Sequence, residues 1–384
     1  MRILHTSDWH LGASDGNRSL KQDQLFFLEE IYRVVEQENI DTIIIAGDVF
    51  DRAITSAEAI AIYDDAMTHL CLEMGKEVII VAGNHDSAER LASCSGLLDK
   101  AGLHIVGAIT KTPAIVSYDD VDIYMLPWFS EDKVKSVYPE YIDDIHSLSD
   151  AYKVVCDKCR DTFAEGKKHI AVSHAFITGS ELSISDRAAE LAVVGLAAQV
   201  SADVFEGFDY VALGHIHKPQ NVRANIRYSG TPMPYSFGKE ETQEKSVTII
   251  DTVDMTQKII PIKLLHKRTT IEDTWENVTN AIYPVDVKCG YVRVRITDEF
   301  VGIEKMSLLQ TIFENMLEVS GTSLTDENAA ITMSMSEFRE IENDPVQIFK
   351  AFYKECFNAE PDEHFVGLFL ESIDDVNSAQ NGGN

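Results

Sequence analysis

Five short stretches place aspartate, asparagine and histidine where a divalent cation could be held: SDWH with Asp8 and His10, GDVFD with Asp48 and Asp51, GNHD with Asn84, His85 and Asp86, SHAF with His174, and GHIH with His215 and His217. Taken singly, each of the twelve histidines reads as a surface or satisfied core residue. The set reads differently, because four of the five stretches directly follow an apolar run of strand character and random strand ends rarely supply only Asp, Asn and His. Oxygen and imidazole donors together suit Mn²⁺, Fe²⁺ or Zn²⁺, whereas a Ca²⁺ or Mg²⁺ cage contains few histidines. With no cysteine in the set, a structural zinc site is not indicated. Gly47, Gly83 and Gly214 immediately precede polar members of the set, where a sharp turn or close backbone approach favours a residue without Cβ. Asp86, closing GNHD, is expected to orient its turn.

Positioning such residues requires elements that bring distant strand ends together. RILHTSD, DTIIIAGD, EVIIVAGNHD, DIYMLPW, HIAVSHA, YVALGHI, SVTIID and KIIPIKLL read as strands, and helical spacing is read at about 20–38, 56–73, 88–100 and 147–165. Short buried strands alternating with such helices predict an α/β layered fold. In open α/β sheets ligands sit outside the carboxyl ends of the strands, so the five stretches can converge on one edge. The alternation stops near HKRTTIEDTWENV, which puts a boundary near 266; beyond it YVRVRIT and AITMSMSEF read as strands around a helical MSLLQTIFENML. A third piece starts at ENDPVQIFKAFYKECF, with Asp344 suited to cap a helix and Pro345 to its first position. Apolar stripes follow at Val346, Phe349, Phe352, Tyr353 and Cys356, then at Phe365, Val366, Phe369, Leu370 and Ile373.

With these motifs in view, the chain resembles the calcineurin-like metallophosphoesterases and, within them, the SbcD-type exonuclease subunits of the SbcCD complex. The narrower likeness is carried by ILHTSDWHLG, GNHDSAERL, SHAFITGSE, VALGHIHKPQ, IRYSGTPMPYSF and KSVTIID; it is close over 1–265 and loose beyond. The resemblance implies a four-layer α/β sandwich over 1–265 bearing the nuclease site, a small α/β capping domain over 266–338 and a helical partner-binding segment over 339–376, while the polar NSAQNGGN over 377–384 reads by itself as a disordered tail. It implies that Asp8, His10, Asp48 and His217 hold one divalent ion, that Asp48, Asn84, His174 and His215 hold a second, and that Asp48 bridges them, with Mn²⁺ the expected metal. Two ions about 3.5–4 Å apart can clamp the attacking and leaving oxygens of an in-line phosphoryl displacement. His85 then lies beside the scissile phosphate as a non-ligand, oriented by Asp51. The implied activity is 3′ to 5′ double-strand exonuclease and single-strand or hairpin endonuclease action in DNA repair, recombination and replication. The implied assembly is a homodimer bound to an SbcC-type ATPase through the C-terminal helices.

Composition bounds these readings. A chain of 384 residues, 45% hydrophobic, can bury one large core and one or two small ones. Six scattered cysteines, no leader-like N-terminus and no apolar run of about 20 residues point to a cytoplasmic protein without membrane insertion, and the resemblance implies association with the nucleoid. A formal charge of −30 opposes unaided binding to a polyanion, so metals or a partner must supply attraction for DNA. Arg52 resembles the phosphate-gripping arginine of protein serine/threonine phosphatases, with a surface salt bridge the equal alternative; Lys218, Arg223 and Arg227 could line a DNA path. CDKC, with Cys156 and Cys159, sits in a helix with no second pair and reads as core rather than redox or zinc. Two other functions share much of this pattern: a metallophosphoesterase acting on nucleotides or phosphoproteins, and a non-catalytic metal-binding scaffold.

Overall fold

Runs such as TIIIA and EVIIV carry β-branched side chains at nearly every position and no polar alternation, which suits strands buried on both faces. The computed structural model describes residues 1–15, 18–180, 199–322, 330–334, 346, 349, 350, 353, 361, 362 and 365–370. The chain divides into two compact units, Met1–Ala13 with Ser19–Leu265, and Ser14–Arg18 with His266–Asn384.

The first unit contains two six-stranded sheets. One runs, edge to edge, Gln257–Pro261, Ser246–Asp251, Arg2–Thr6, Thr42–Ala46, Glu77–Val81 and Leu103–Val106, the last four mutually parallel. The other runs Gln220–Arg223, Ile226–Tyr228, Tyr210–Gly214, Lys168–His174, Val121–Leu126 and Ile115–Ser117. Ile3, Ile44, Ala46, Ile79 and Val81 of the first sheet pack with Ile123, Ile170, Val172, Tyr210 and Ala212 of the second in one buried cluster. Leu4, Ile43, Ile45, Val78 and Ile80, of opposite parity, are buried as well; the connecting helices Lys21–Gln37 and Ala57–Thr68 bury their own apolar stripes. On the far side of the second sheet, Val134 and Tyr152 from the helices Glu131–Val137 and Leu148–Arg160 join Tyr124, Val211 and Leu213. This is the four-layer α/β sandwich expected from the sequence.

Local chemistry sets several boundaries. Ser56 and Ser147 cap their helices by accepting from Ala59 N and Asp150 N, both at 3.2 Å. The helix expected at 88–100 is broken into Ala88–Leu91 and Ser95–Leu98, with Cys94 left-handed at φ 58°. Short strands at Leu103–Val106, Ile115–Ser117, Gln220–Arg223 and Ile226–Tyr228 have no strong periodic signal and become strands by pairing with neighbours.

The second unit is built on a four-stranded sheet, Arg268–Asp273, Tyr291–Ile296, Asn315–Thr322 and Ala330–Ser334, the first three parallel and the last antiparallel. Val278, Val292, Val294, Met306, Leu309, Phe313 and Val319 form its core. Two sequence readings are corrected here. RTTIED, where the alternation reads as ending, is a strand, and the helix read through MSLLQTIFENML stops at Ile312, after which Asn315–Thr322 is extended. An apolar run of this length fits either period, and pairing with Tyr291–Ile296 decides it. Helical residues 349, 353 and 365–370 belong to the two C-terminal stripes, and these meet: Phe349 stacks on Phe369 at 4.4 Å and Tyr353 lies 5.4 Å from Phe365. The cap read at Asp344 and the tail 377–384 lie outside the described residues. No helix among the described residues is long and apolar enough to cross a membrane.

Candidate metal centre

The carboxyl ends of five strands converge. Asp8 N donates to Gly47 O and His10 N to Asp48 O, both at 3.0 Å, tying the first two loops together. The His215 N–H donates to Asp8 Oδ1 at 2.9 Å, which ties the second sheet to the first. His5, unassigned from sequence, works just below: its Nδ1 meets Tyr210 Oη at 3.0 Å and its Nε2 meets the Leu213 carbonyl at 3.1 Å. Burial, with the Arg227 charge adding to it, lowers the His5 pKa to about 3, so the ring is a neutral clamp between the strands.

Backbone strain is concentrated at the same place. Asp8, His10, Asp48 and His215 adopt φ of 54°, 43°, 49° and 99°. Non-glycine residues there cost on the order of 1–3 kcal/mol each and persist only where surrounding contacts over-determine them. Close packing explains the glycines. A Cβ on Gly83 would lie 2.1 Å from Asp48 Oδ1, and one on Gly214 would lie 1.8 Å from the Ala46 carbonyl oxygen. Gly214→Ala is therefore expected to destabilise the fold by about 1–3 kcal/mol or more, read as a lower melting temperature together with weaker Mn²⁺ uptake. A melting temperature equal to wild type would contradict this close approach.

Three groups of donors result. Asp8, His10 and His217 bring one ligand atom each within 4.8 Å of one another, and so do Asp48, His174 and His215, and, as the third group, His10, Asp51 and His85. In the first group His10 Nε2 faces His217 Nε2 at 3.2 Å. In the second, Asn84 Oδ1 lies 2.9 Å from His174 Nε2 and 3.0 Å from His215 Nδ1. Asp48 Oδ2 lies 3.2 Å from His174 Nε2 and 3.9 Å from His10 Nε2, between these two groups. His174 Nδ1 donates to the Ala46 carbonyl at 2.9 Å, which leaves Nε2 facing Asn84 and Asp48 as the nitrogen that gives up its proton when the ring becomes a neutral ligand. Asp8, His10, Asp48 and His174 form a buried floor, while Asn84, His215 and His217 are half-buried and line the open side.

The electrostatics suit a cation. Burial raises the Asp8 pKa, and the Asp48 charge adds to this against the pull of His174. Burial opposes ionisation of Asp48 too, but the charge and hydrogen bond of His174 bring it well below the usual carboxylate value. Burial lowers the His174 pKa, yet Asp48 and Asp8 outweigh this and raise it to about 9. The field that draws a proton onto His174 is one a divalent ion answers, with proton release on binding. Donor type, convergence and field all fit divalent metal.

His85 stands at the edge of this cluster. Its N–H donates to Asp48 Oδ1 and its Nδ1 to the main-chain carbonyl of Asp51, each at 2.9 Å. The sequence reading has Asp51 orienting His85, and the hydrogen bond to Nδ1 runs through the Asp51 main chain; its carboxylate lies 3.8 Å from His10 Nδ1 and 3.3 Å from Arg52 Nε. Asp86 accepts from Gly83 N at 2.9 Å, Phe50 N at 2.9 Å and Val49 N at 3.2 Å, joining the GDVF and GNHD turns. Burial, then the Asp48 charge, raise its pKa to about 6.

Arg52 is 74% exposed beside this edge, and Lys218 directly follows His217, half-buried. Arg227, read as a possible DNA contact, is instead buried, donating to Thr248 Oγ1 at 2.8 Å and Asn221 Oδ1 at 2.6 Å. Arg223 pairs with Asp203. Cys156 and Cys159 are buried in their helix, and burial raises the Cys159 thiol to about 12.

Sequence reasoning misses the residues that brace His10 and His217. Gln24 donates to the His10 carbonyl at 2.8 Å and accepts from Gly12 N at 3.1 Å. The Tyr235 hydroxyl donates to the Trp9 carbonyl, and its ring lies 5.3 Å from that of His10. Glu240 lies behind His217. Tyr235 falls within the quoted IRYSGTPMPYSF, but no residue type there announces a ligand.

Residues 1–219 match the family model described as calcineurin-like phosphoesterase. The chain is 29% identical over 349 residues to the SbcD component of the SbcCD nuclease of Staphylococcus saprophyticus, covering 90% of this chain and 91% of that protein. Among solved structures it is similar to a dimetal phosphatase from Danio rerio, at 11% identity over 69% of this chain and 99% of that one with a TM-score of 0.41. It is also similar to a Thermus thermophilus protein, at 13% identity over 68% and 99% with a TM-score of 0.39.

Proposed function

The chain belongs to the calcineurin-like phosphoesterase family, and on that premise we propose that it is the nuclease component of a two-component DNA-processing enzyme. The observation that carries the reading is the meeting of Asp8, His10 and His217 with Asp48, Asn84, His174 and His215, with Asp48 between the two groups. In this reading the groups hold two divalent ions, Mn²⁺ foremost, and share Asp48. When bound, such ions supply Lewis acidity to the nucleophile and the phosphate. The chain's own part is orientation and proton movement. Hydrogen bonding to the Asp51 carbonyl occupies His85 Nδ1, so Nε2 is the atom that can deliver a proton to the leaving oxygen. Half-buried Asn84, His215 and His217 give the open side through which a phosphodiester enters, and Arg52 and Lys218 are the cations nearest to hand for its backbone.

The substrate is DNA, cut as a 3′ to 5′ double-strand exonuclease and a single-strand or hairpin endonuclease in repair, recombination and replication. The likeness to an SbcCD nuclease component over 90% of the chain supports this reading; a charge of −30 opposes it unless metals or a partner supply the attraction for DNA. That partner is an SbcC-type ATPase docked on the C-terminal helices, with 266–338 as a capping domain and two copies of this chain in the cytoplasmic assembly. The exposure of Phe365, Leu368 and Leu370 favours docking there.

Incubation with a short duplex, a hairpin and circular single strands, in several divalent metals and with or without the ATPase, tests the proposal. Mn²⁺-dependent cleavage is expected, and a chain truncated after about residue 340 should retain it while losing ATPase association. Hydrolysis of nucleotides or phosphoproteins without DNA cleavage would favour another phosphoesterase, and bound metal without hydrolysis a scaffold. Retained ATPase association by the truncated chain would refute the docking surface.

A further inference from the structure

Behind His217 lies a carboxylate for which the chemistry above has no use. His217 Nδ1 is 2.9 Å from Glu240 Oε1, and Glu240 is 1% exposed. Its other oxygen accepts from the main-chain N–H groups of Tyr235 at 2.7 Å and Ser236 at 3.2 Å, so the carboxylate is held against the ring. Lys245, also 1% exposed, places Nζ 3.7 Å from Glu240 Oε2. The same amine donates to Thr231 Oγ1 at 2.8 Å and to the His217 carbonyl at 3.2 Å. One ammonium thus offsets the carboxylate and pins the main chain of the residue whose ring that carboxylate holds.

A buried ion pair is a poor way merely to stabilise a loop, since well-packed apolar groups of similar volume do as well or better. Its placement directly on an imidazole has a chemical consequence. We infer that Glu240 is the positioning residue of His217: it accepts the Nδ1 proton, turns the Nε2 lone pair toward Asp8 and His10, and makes that nitrogen a stronger donor to the ion they would share. Lys245 keeps the arrangement neutral overall. His174 is oriented differently, its Nδ1 donating to the uncharged Ala46 carbonyl. The two ion positions are therefore unequal, and the one served by His217 draws on the charged pair. This assignment rests on the two-ion reading of the centre.

Mn²⁺ titration of the metal-free full chain by calorimetry, with thermal denaturation and Mn²⁺ electron paramagnetic resonance, tests it on the wild type, Glu240→Gln and the double variant Glu240→Gln, Lys245→Met. Wild type is expected to take up two ions. Glu240→Gln should keep one at wild-type affinity and bind the other about 10- to 100-fold more weakly, giving the uncoupled six-line signal at concentrations where wild type shows a coupled pair. The double variant, which removes both buried charges, should show the same selective loss at the wild-type melting temperature. Wild-type affinity for both ions in the variants overturns the inference, as does equal weakening of both ions with a lowered melting temperature. A wild-type chain that takes up a single ion overturns the two-ion reading itself and the assignment with it.

Discussion

Replacing His85 with alanine is expected to slow phosphodiester hydrolysis by about 10²–10⁴-fold while Mn²⁺ occupancy stays at the wild-type level. The separation follows from how His85 is attached. Its contact with Asp48 is made by the main-chain N–H, which alanine retains. Its ring is held by the Asp51 carbonyl, so truncation removes the Nε2 proton donor while leaving the Asp8, His10, His217 and the Asp48, His174, His215 groups whole; His85 itself clusters with His10 and Asp51, which is why metal occupancy is the deciding readout. A substrate with an acidic leaving group, such as a nitrophenyl phosphodiester, needs no proton on departure and should lose far less rate than DNA. Equal losses on both substrates would assign His85 to charge stabilisation rather than proton donation. Loss of both ions in the variant would make His85 a ligand and end the assignment.

Asp48→Asn is expected to weaken both ions and bring hydrolysis below detection, the largest effect of any single ligand change. Asparagine is the informative substitution because it tolerates the left-handed backbone at φ 49° and can still accept from His85 N, so the loop is preserved while the charge goes. The carboxylate lies 3.2 Å from His174 Nε2 and 3.9 Å from His10 Nε2, one member of each group. His215→Ala and His217→Ala should instead each weaken one ion. Metal content measured after dialysis, alongside the melting temperature, distinguishes the cases: a variant at position 48 that retains one ion at wild-type affinity would show that Asp48 serves a single position.

The candidate residues were legible because their signal is local. An apolar β-branched run ending in Gly-Asp, Gly-Asn-His or Gly-His states in a few residues that a strand stops and a polar side chain begins, and parallel strands align such ends at one edge. Asp8 and His215, 207 residues apart, meet for that reason. The glycines were legible too, although the reason for them, an Ala46 carbonyl or an Asp48 side chain already in the space of a Cβ, comes from a neighbouring strand. Legibility failed where a residue type has several ordinary uses. Arg227 looks like any surface arginine after GHIH, and only the pairing of Ile226–Tyr228 inside the second sheet buries it. Asn315–Thr322 reads as the end of a helix until Tyr291–Ile296 claims it as a strand.

By itself, then, the sequence determined the layered α/β class, the donor types, and the edge at which they collect, since these follow from short-range patterns of hydrophobicity and residue chemistry. Tertiary structure decided the distances: Asp8, His10 and His217 gather within 4.8 Å of one another, as do Asp48, His174 and His215, and His10, Asp51 and His85. It also decided which nitrogen each ring turns inward, that Asp51 reaches His85 Nδ1 through its carbonyl, and that Glu240 and Lys245 stand behind His217. Ring orientation and ion-pair partners are set by hydrogen bonds between atoms remote in the chain and by left-handed turns at Asp8, His10, Asp48 and His215. Such turns are imposed on those residues by the packed loops around them rather than preferred by their own side chains.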